Sequence, residues 1–191
     1  DPEALLIIRG IKFGYDNLPA WMRERGPKMI NDNAGSIRWD NGSYVDSDAS
    51  KDNPARGRTL SLLVMDEFGK FPNPDDAWAS ALPATEFGQL IVLGNANGYG
   101  TRFWSLTQLA KQGITDFLYR FFPWTAAPKR TPEWLAENTS TMSPSEIAAE
   151  YPDNDVDCWI QAGNPVYDVD TIRSWPVAPG FETPRLDGSC T

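Results

Sequence analysis

The chain contains no histidine. That absence removes Ser-His-Asp triads, histidine-ligated zinc and imidazole acid–base chemistry together, so any chemistry rests on carboxylates, Arg, Lys or a bound metal. Cysteine is nearly as scarce. Cys158 and Cys190 stand far apart with no metal or redox spacing, which fits a reduced, intracellular setting. No apolar run approaches the roughly 20 residues that span a bilayer, and no signal-peptide pattern is read at the start, so no membrane partner is expected. Basic charge is short as well. With 17 Lys and Arg against 26 Asp and Glu the net charge is −9, which argues against a general nucleic-acid binder with a basic stripe. No Gly-x-x-x-x-Gly-Lys-Ser/Thr occurs, so a loop that cradles phosphates is missing. Internal repeats and low-complexity tracts are not seen.

What is present is a chain of 191 residues, 41% hydrophobic, suited to one domain with a sizeable core. Its most informative stretch is Thr59-Leu60-Ser61-Leu62-Leu63-Val64-Met65-Asp66-Glu67, an apolar run that stops at two adjacent carboxylates. Such a run predicts a strand covered on both faces of a parallel sheet, with Leu62 and Val64 buried. Ligands of parallel sheets bind beyond the carboxyl ends of the strands, where Asp66 and Glu67 fall. The plainer alternative is an ordinary strand followed by two solvated turn acids. Gln89-Leu90-Ile91-Val92-Leu93-Gly94-Asn95-Ala96-Asn97-Gly98 is a second short strand that ends in small and polar residues. Between the two, Asn73-Pro74-Asp75-Asp76 is a helix start, and Ala77, Trp78 and Ala81 supply the apolar stripe. Strand, helix and strand form a parallel crossover unit feeding one cleft.

The remaining chain is punctuated clearly. Asp1-Pro2-Glu3 starts a helix with Leu5, Ile8, Ile11 (or Lys12) and Tyr15 on one face, although Ile7-Ile8 would also suit a strand. Residues 36–46 alternate about Asp40-Asn41-Gly42 as a hairpin. Asp46–Arg58 reads as a polar, exposed loop. Thr101–Lys111 is a helix closed by Gly113, and Phe117–Phe122 is a further strand. Thr131-Pro132-Glu133 and Ser143-Pro144-Ser145-Glu146 open two short helices, the second with a full capping box. Beyond Gly163 the chain reads as linker or tail. Trp78, Trp104, Trp134 and Trp159 lie among helical signals, so core packing is preferred to a sugar-binding platform.

Taken in order, several of these stretches resemble the ATPase domain of the large terminase subunit, the DNA-packaging motor of tailed phages. Tyr15-Asp16-Asn17-Leu18-Pro19-Ala20-Trp21, the Ile37–Ser43 hairpin, and Ala55-Arg56-Gly57-Arg58-Thr59 leading into Leu62–Glu67 are similar to successive family stretches. So are Leu93–Gly98, Tyr151-Pro152 with Trp159, and Gly163-Asn164-Pro165-Val166-Tyr167-Asp168. The resemblance covers roughly residues 1–170. It implies an α/β fold with a mostly parallel central sheet flanked by helices, a P-loop NTPase of the ASCE type incomplete at its N-terminus. Residues 1–165 would be the partial ATPase domain, and 166–191 a linker or tail toward an absent nuclease domain.

The same resemblance implies the chemistry. Asp66 would anchor Mg2+, Glu67 would orient or deprotonate the water that attacks the γ-phosphate of ATP, and Asn95 with Gly94 would form the coupling motif. Family members carry a Ser/Thr pair followed by Pro there, where this chain has Gly94, Asn95 and Ala96. Arg56 or Arg58 would reach a neighbouring subunit's ATP as a trans finger; the alternative is pairing with Asp48 or Asp52. The implied partners are double-stranded DNA, portal protein, the small terminase subunit and further copies in a homo-oligomeric ring, all in the host cytoplasm. Because the phosphate loop is missing and Asp1 is no natural start, an internal fragment or truncated copy is expected, inactive alone. Two rivals remain: a helicase-like DNA-dependent ATPase, and an inert interaction module that keeps the fold. A carboxylate glycosidase using Glu67 is a weaker third.

Overall fold

A computed structural model describes residues 2–33, 35–49 and 55–161. The chain divides into two compact units, Asp1–Gly94 and Asn95–Thr191. The first opens with α1 (Pro2–Asp16), so the helical reading of the N-terminal stretch prevails over the strand. Ile8 is buried while Leu6, Ile7 and Phe13 face outward, as the helical spacing requires. A short α2 (Ala20–Arg25) follows. Then β1 (Met29–Asn33), β2 (Ser36–Trp39) and β3 (Tyr44–Asp46) form an antiparallel sheet in that order. The β2–β3 turn is the one expected: Gly42 has φ +85°, and Asn41 Oδ1 accepts the Ser43 N–H at 3.0 Å. Ile37 is fully buried, and the Tyr15 hydroxyl ties α1 to this sheet by donating to Pro27 O at 3.0 Å and accepting from Met29 N at 3.2 Å.

The crossover unit forms as expected, with β4 (Leu62–Met65), α3 (Pro74–Ala84) and β5 (Gln89–Val92). β4 and β5 pair in parallel, Leu62 opposite Gln89 through Met65 opposite Val92. Pro74 and two acids begin α3, although Asn73 makes no side-chain cap. Ala77, Trp78, Ala81 and Ala84 are its buried residues. One expectation fails here. Leu62 and Val64 are 50% and 49% exposed, and only Met65 is buried in β4. An apolar strand can be covered on both faces, but covering needs layers above and below it. Among the described residues this sheet has two strands, and burial alternates with the period of the pleat. The structure thus supports a mixed α/β fold with a small parallel pair.

The second unit contains α4 (Arg102–Lys111), α5 (Pro132–Asn138), α6 (Pro144–Glu150) and α7 (Asp157–Gln161). Their starts follow the sequence closely. Thr101 and Thr131 each accept the N–H three residues on at 3.2 Å, and Ser143 with Glu146 closes the capping box. Gly113, at φ +68°, lies just beyond α4. Trp159 and Trp124 are buried, and Trp104 and Trp134 are half-buried, which favours packing over an exposed sugar platform. The expected strand Phe117–Phe122 does not appear among the strands of the described residues. A β-rich composition supplies a strand's preference but not the neighbour that completes its hydrogen bonds. The tail beyond Gly163, including Cys190, lies outside the described residues. Among those described, no helix is long and apolar enough to cross a membrane.

Lys111 Nζ lies 2.6 Å from Asp155 Oδ2 and 5.1 Å from the centre of the Tyr119 ring. The hydrogen bond from Lys111 holds the Asp155 carboxyl below its ordinary value, while burial and then Asp155 push the Tyr119 phenol up. Burial also pushes the Cys158 thiol up to about 11, which leaves it unreactive near neutrality. Because the folded Asp155 is the stronger acid, its stabilisation is present above the ordinary carboxyl value of 3.8 and disappears as pH falls through its lower folded value. Lys111→Met should therefore cost about 1 kcal/mol or less at neutral pH. The gap in urea midpoint from the parent chain should close below pH 3.8. A gap that persists in acid would show that lost packing, not charge, causes it.

Candidate functional site

Parallel pairing brings the carboxyl ends of β4 and β5 side by side. The zipper continues past both strands: Leu93 N donates to Met65 O at 3.0 Å, and Phe68 N donates to Leu93 O at 3.0 Å. Between these bonds lie Asp66 and Glu67. Asp66 Oδ1 accepts the Glu67 N–H at 2.9 Å. Glu67 has φ 53° and ψ 35°, and it alone among the described non-glycine residues has positive φ. A left-handed residue with a side chain costs on the order of 1–3 kcal/mol and persists only where its surroundings hold it. Here the hold is visible. The chain turns back at Glu67 into a 3-10 turn, Phe68–Lys70, which drives Phe68 into full burial against Phe71 and Trp78.

Gly94 completes this corner. Its φ is +149°, and a Cβ there would stand 3.0 Å from Phe68 N, 3.1 Å from Glu67 Cα and 3.2 Å from Glu67 C. All three are backbone atoms with little freedom to yield. Gly94 therefore contributes to the site by having no side chain. Gly94→Ala should destabilise the chain by about 1–3 kcal/mol and displace the backbone of Glu67. Thermal unfolding together with amide shifts of Glu67 and Phe68 would check both parts; unchanged shifts would mean the corner has slack.

The acids differ in what they touch. Asp66 is exposed, with Oδ2 pointing to no described partner. Glu67 Oε2 pairs with Lys70 Nζ at 3.2 Å, both side chains about half exposed. Lys70 was not singled out from the sequence, although it stands three residues after Glu67. Arg58 is held in an ion-pair network, 3.1 Å from Asp48 and 3.5 Å from Asp46, and Asp46 also pairs with Arg38 at 3.0 Å. The pairing alternative thus describes Arg58 in this state. Arg56 is exposed on the Ala55–Gly57 turn, where Gly57 has φ +75°, and makes no ion pair with a described residue. Asp52 lies outside the described residues. Asn95 belongs to the second unit, where its Nδ2 donates to Glu150 Oε2 at 2.6 Å. Nothing in the sequence marks Glu150 as its partner.

The fit of these residues to the implied groups is uneven. Among the described residues no three His, Cys, Asp or Glu gather as a metal site. Mg2+ held chiefly by substrate phosphates needs only one or two carboxylates, and Asp66 Oδ2 meets that need. No glycine-rich loop with a lysine is present in the chain to hold the phosphates themselves. A cavity of about 290 Å³ lies in the second unit, lined by Leu135, Ile147, Tyr151 and Cys158 among others, and by none of the expected site residues. No protein-family model matches the chain.

Proposed function

We propose that the chain is part of a viral DNA-packaging ATPase of the large terminase type, contributing the acid-bearing corner of an ATP site. The observation that carries this reading is the corner after β4: two carboxylates at the end of a parallel strand, the second held in a left-handed conformation against Gly94. Strain of this kind clusters at functional sites, which is what makes Glu67 the candidate. In this reading the full fold is the ASCE-type P-loop NTPase that the sequence resembles. Asp66 would hold Mg2+, which when bound would supply neutralisation of phosphate charge. Glu67 leaves Lys70 and accepts a proton from the attacking water at Oε2, while Gly94 keeps the backbone of Glu67 in place. Arg56, unlike Arg58, is available to a neighbouring subunit. With a net charge of −9, the contacts to DNA fall on local basic patches or on other parts of the subunit.

A second reading, an inert interaction module, is favoured by the missing phosphate loop. The upstream sequence separates the two, while both expect the chain alone to be inactive. The coding sequence immediately upstream of Asp1 should specify Gly-x-x-x-x-Gly-Lys-Ser/Thr, and the purified 191-residue chain should hydrolyse ATP at background rate. An upstream sequence without that loop would sink the ATPase reading and leave the module.

A further inference from the structure

The turn that carries Arg56 is fastened at both ends. Arg58 N donates to Ala55 O at 3.2 Å, closing a β-turn whose third residue, Gly57, has φ +75°. Ala55, the first residue, is buried at 1% exposure. Arg58, the last, reaches back to the antiparallel sheet: its guanidinium lies 3.5 Å from Asp46 Oδ2 and 3.1 Å from Asp48 Oδ2. Arg56 occupies the corner between these two anchors and is exposed.

Asp46 is the centre of the fastening. It ends β3, and its side chain is 15% exposed, against 37% for Arg58 and 43% for Asp48. Arg38 on β2 holds it from the other side, with Nη2 3.0 Å from Oδ1 and 3.4 Å from Oδ2. Arg38 is itself fixed, its guanidinium lying over the Tyr44 ring 4.4 Å from the centre. A carboxylate shared by two guanidinium groups in a shielded place keeps its geometry better than an isolated surface pair. Beyond the turn, Leu60 N donates to Ala84 O at 2.8 Å, so the chain is tied again before β4 begins.

The network treats the two arginines differently. Arg58 has its charge met within its own subunit by Asp46 and Asp48. Arg56 rides on a turn whose ends cannot swing. A side chain that crosses to another subunit loses less conformational freedom on engagement if its backbone is already ordered. Where Arg56 serves a neighbour's ATP, as in the ATPase reading on which this rests, we propose that Asp46 is a positioning residue. It acts through Arg58 to aim Arg56 and touches no substrate itself.

Asp46→Asn keeps the shape of the side chain and removes its charge. In the 191-residue chain, amide 15N order parameters at Arg56 and Gly57 should fall. Arg58→Gln cuts the same tie from the other end, at an exposed position, and should lower them alike. Order parameters that stay at the parent's values in either variant would overturn the positioning role without reference to ATP. In a subunit that also carries a phosphate-binding loop, Asp46→Asn should lower turnover by a factor on the order of 10 to 10² with nucleotide affinity unchanged. Combined with Arg56→Ala it should lower turnover no further than Arg56→Ala alone, because a residue that acts through Arg56 adds nothing once Arg56 is gone. Additive losses would make Asp46 a structural residue and overturn the proposal. Ordering lost without a change in turnover would overturn the proposal alone. No hydrolysis by the parent subunit, or a parent-like rate for Arg56→Ala, would overturn the ATPase role of this turn and the proposal with it.

Discussion

Glu67→Gln, placed in a subunit that also carries a phosphate-binding loop, is expected to lower ATP turnover by a factor on the order of 10² to 10³ while leaving nucleotide binding nearly intact. The substitution keeps the size of the side chain and removes its ability to take a proton, so the loss falls on the chemical step. The fold should survive, because the side chain is half exposed and its pair with Lys70 is a surface one worth little. Complementation makes the result sharper. Arg56→Ala should also lower turnover, and mixed rings of the two variants contain some interfaces with an intact Glu67 facing an intact Arg56. Partial recovery on mixing would place Arg56 in trans. A Glu67→Gln subunit with full activity would remove Glu67 from the site altogether.

The largest effect on stability is expected at Phe68. It is completely buried, its ring lies 5.2 Å from Phe71 and 6.3 Å from Trp78, and it follows the strained Glu67 directly. Phe68→Ala should cost about 3–5 kcal/mol, from lost transfer energy and the cavity left behind. Phe68→Leu, which keeps most of the volume, should cost far less. Because burial of Phe68 is what holds Glu67 in its left-handed conformation, loss of the ring should also release that corner. Urea titration would read the stability, and amide exchange at Glu67 and Phe68 would read the release. Equal costs for Ala and Leu would show that ring packing is not the source of the hold.

These expectations rest on features that were legible to different degrees. The helix starts at Thr101, Thr131 and Ser143 were readable because a cap is a contract between residues three apart, and that at Pro74 because proline and two acids suit a first turn. The Asp40-Asn41-Gly42 turn was readable for the same reason, since its geometry is set by the residues it contains. The carboxylates at the end of β4 were legible as a pair because an apolar run that stops at two acids is a local pattern.

What the residues alone settled, then, was where elements begin, where they turn, and that Asp66 and Glu67 close a strand parallel to β5. Tertiary structure decided everything that needs a second surface. It left Leu62 and Val64 half exposed, because apolar composition states a preference for cover and cannot provide the cover. Among the described residues it gave no strand at 117–122, because a strand's hydrogen bonds belong to two segments at once. It tied Arg58 to Asp46 and Asp48, and Asn95 to Glu150 across 55 positions of sequence. The left-handed turn at Glu67 is the clearest case. The residue's own preference opposes that conformation, and burial of Phe68 together with the missing side chain of Gly94 overrides it.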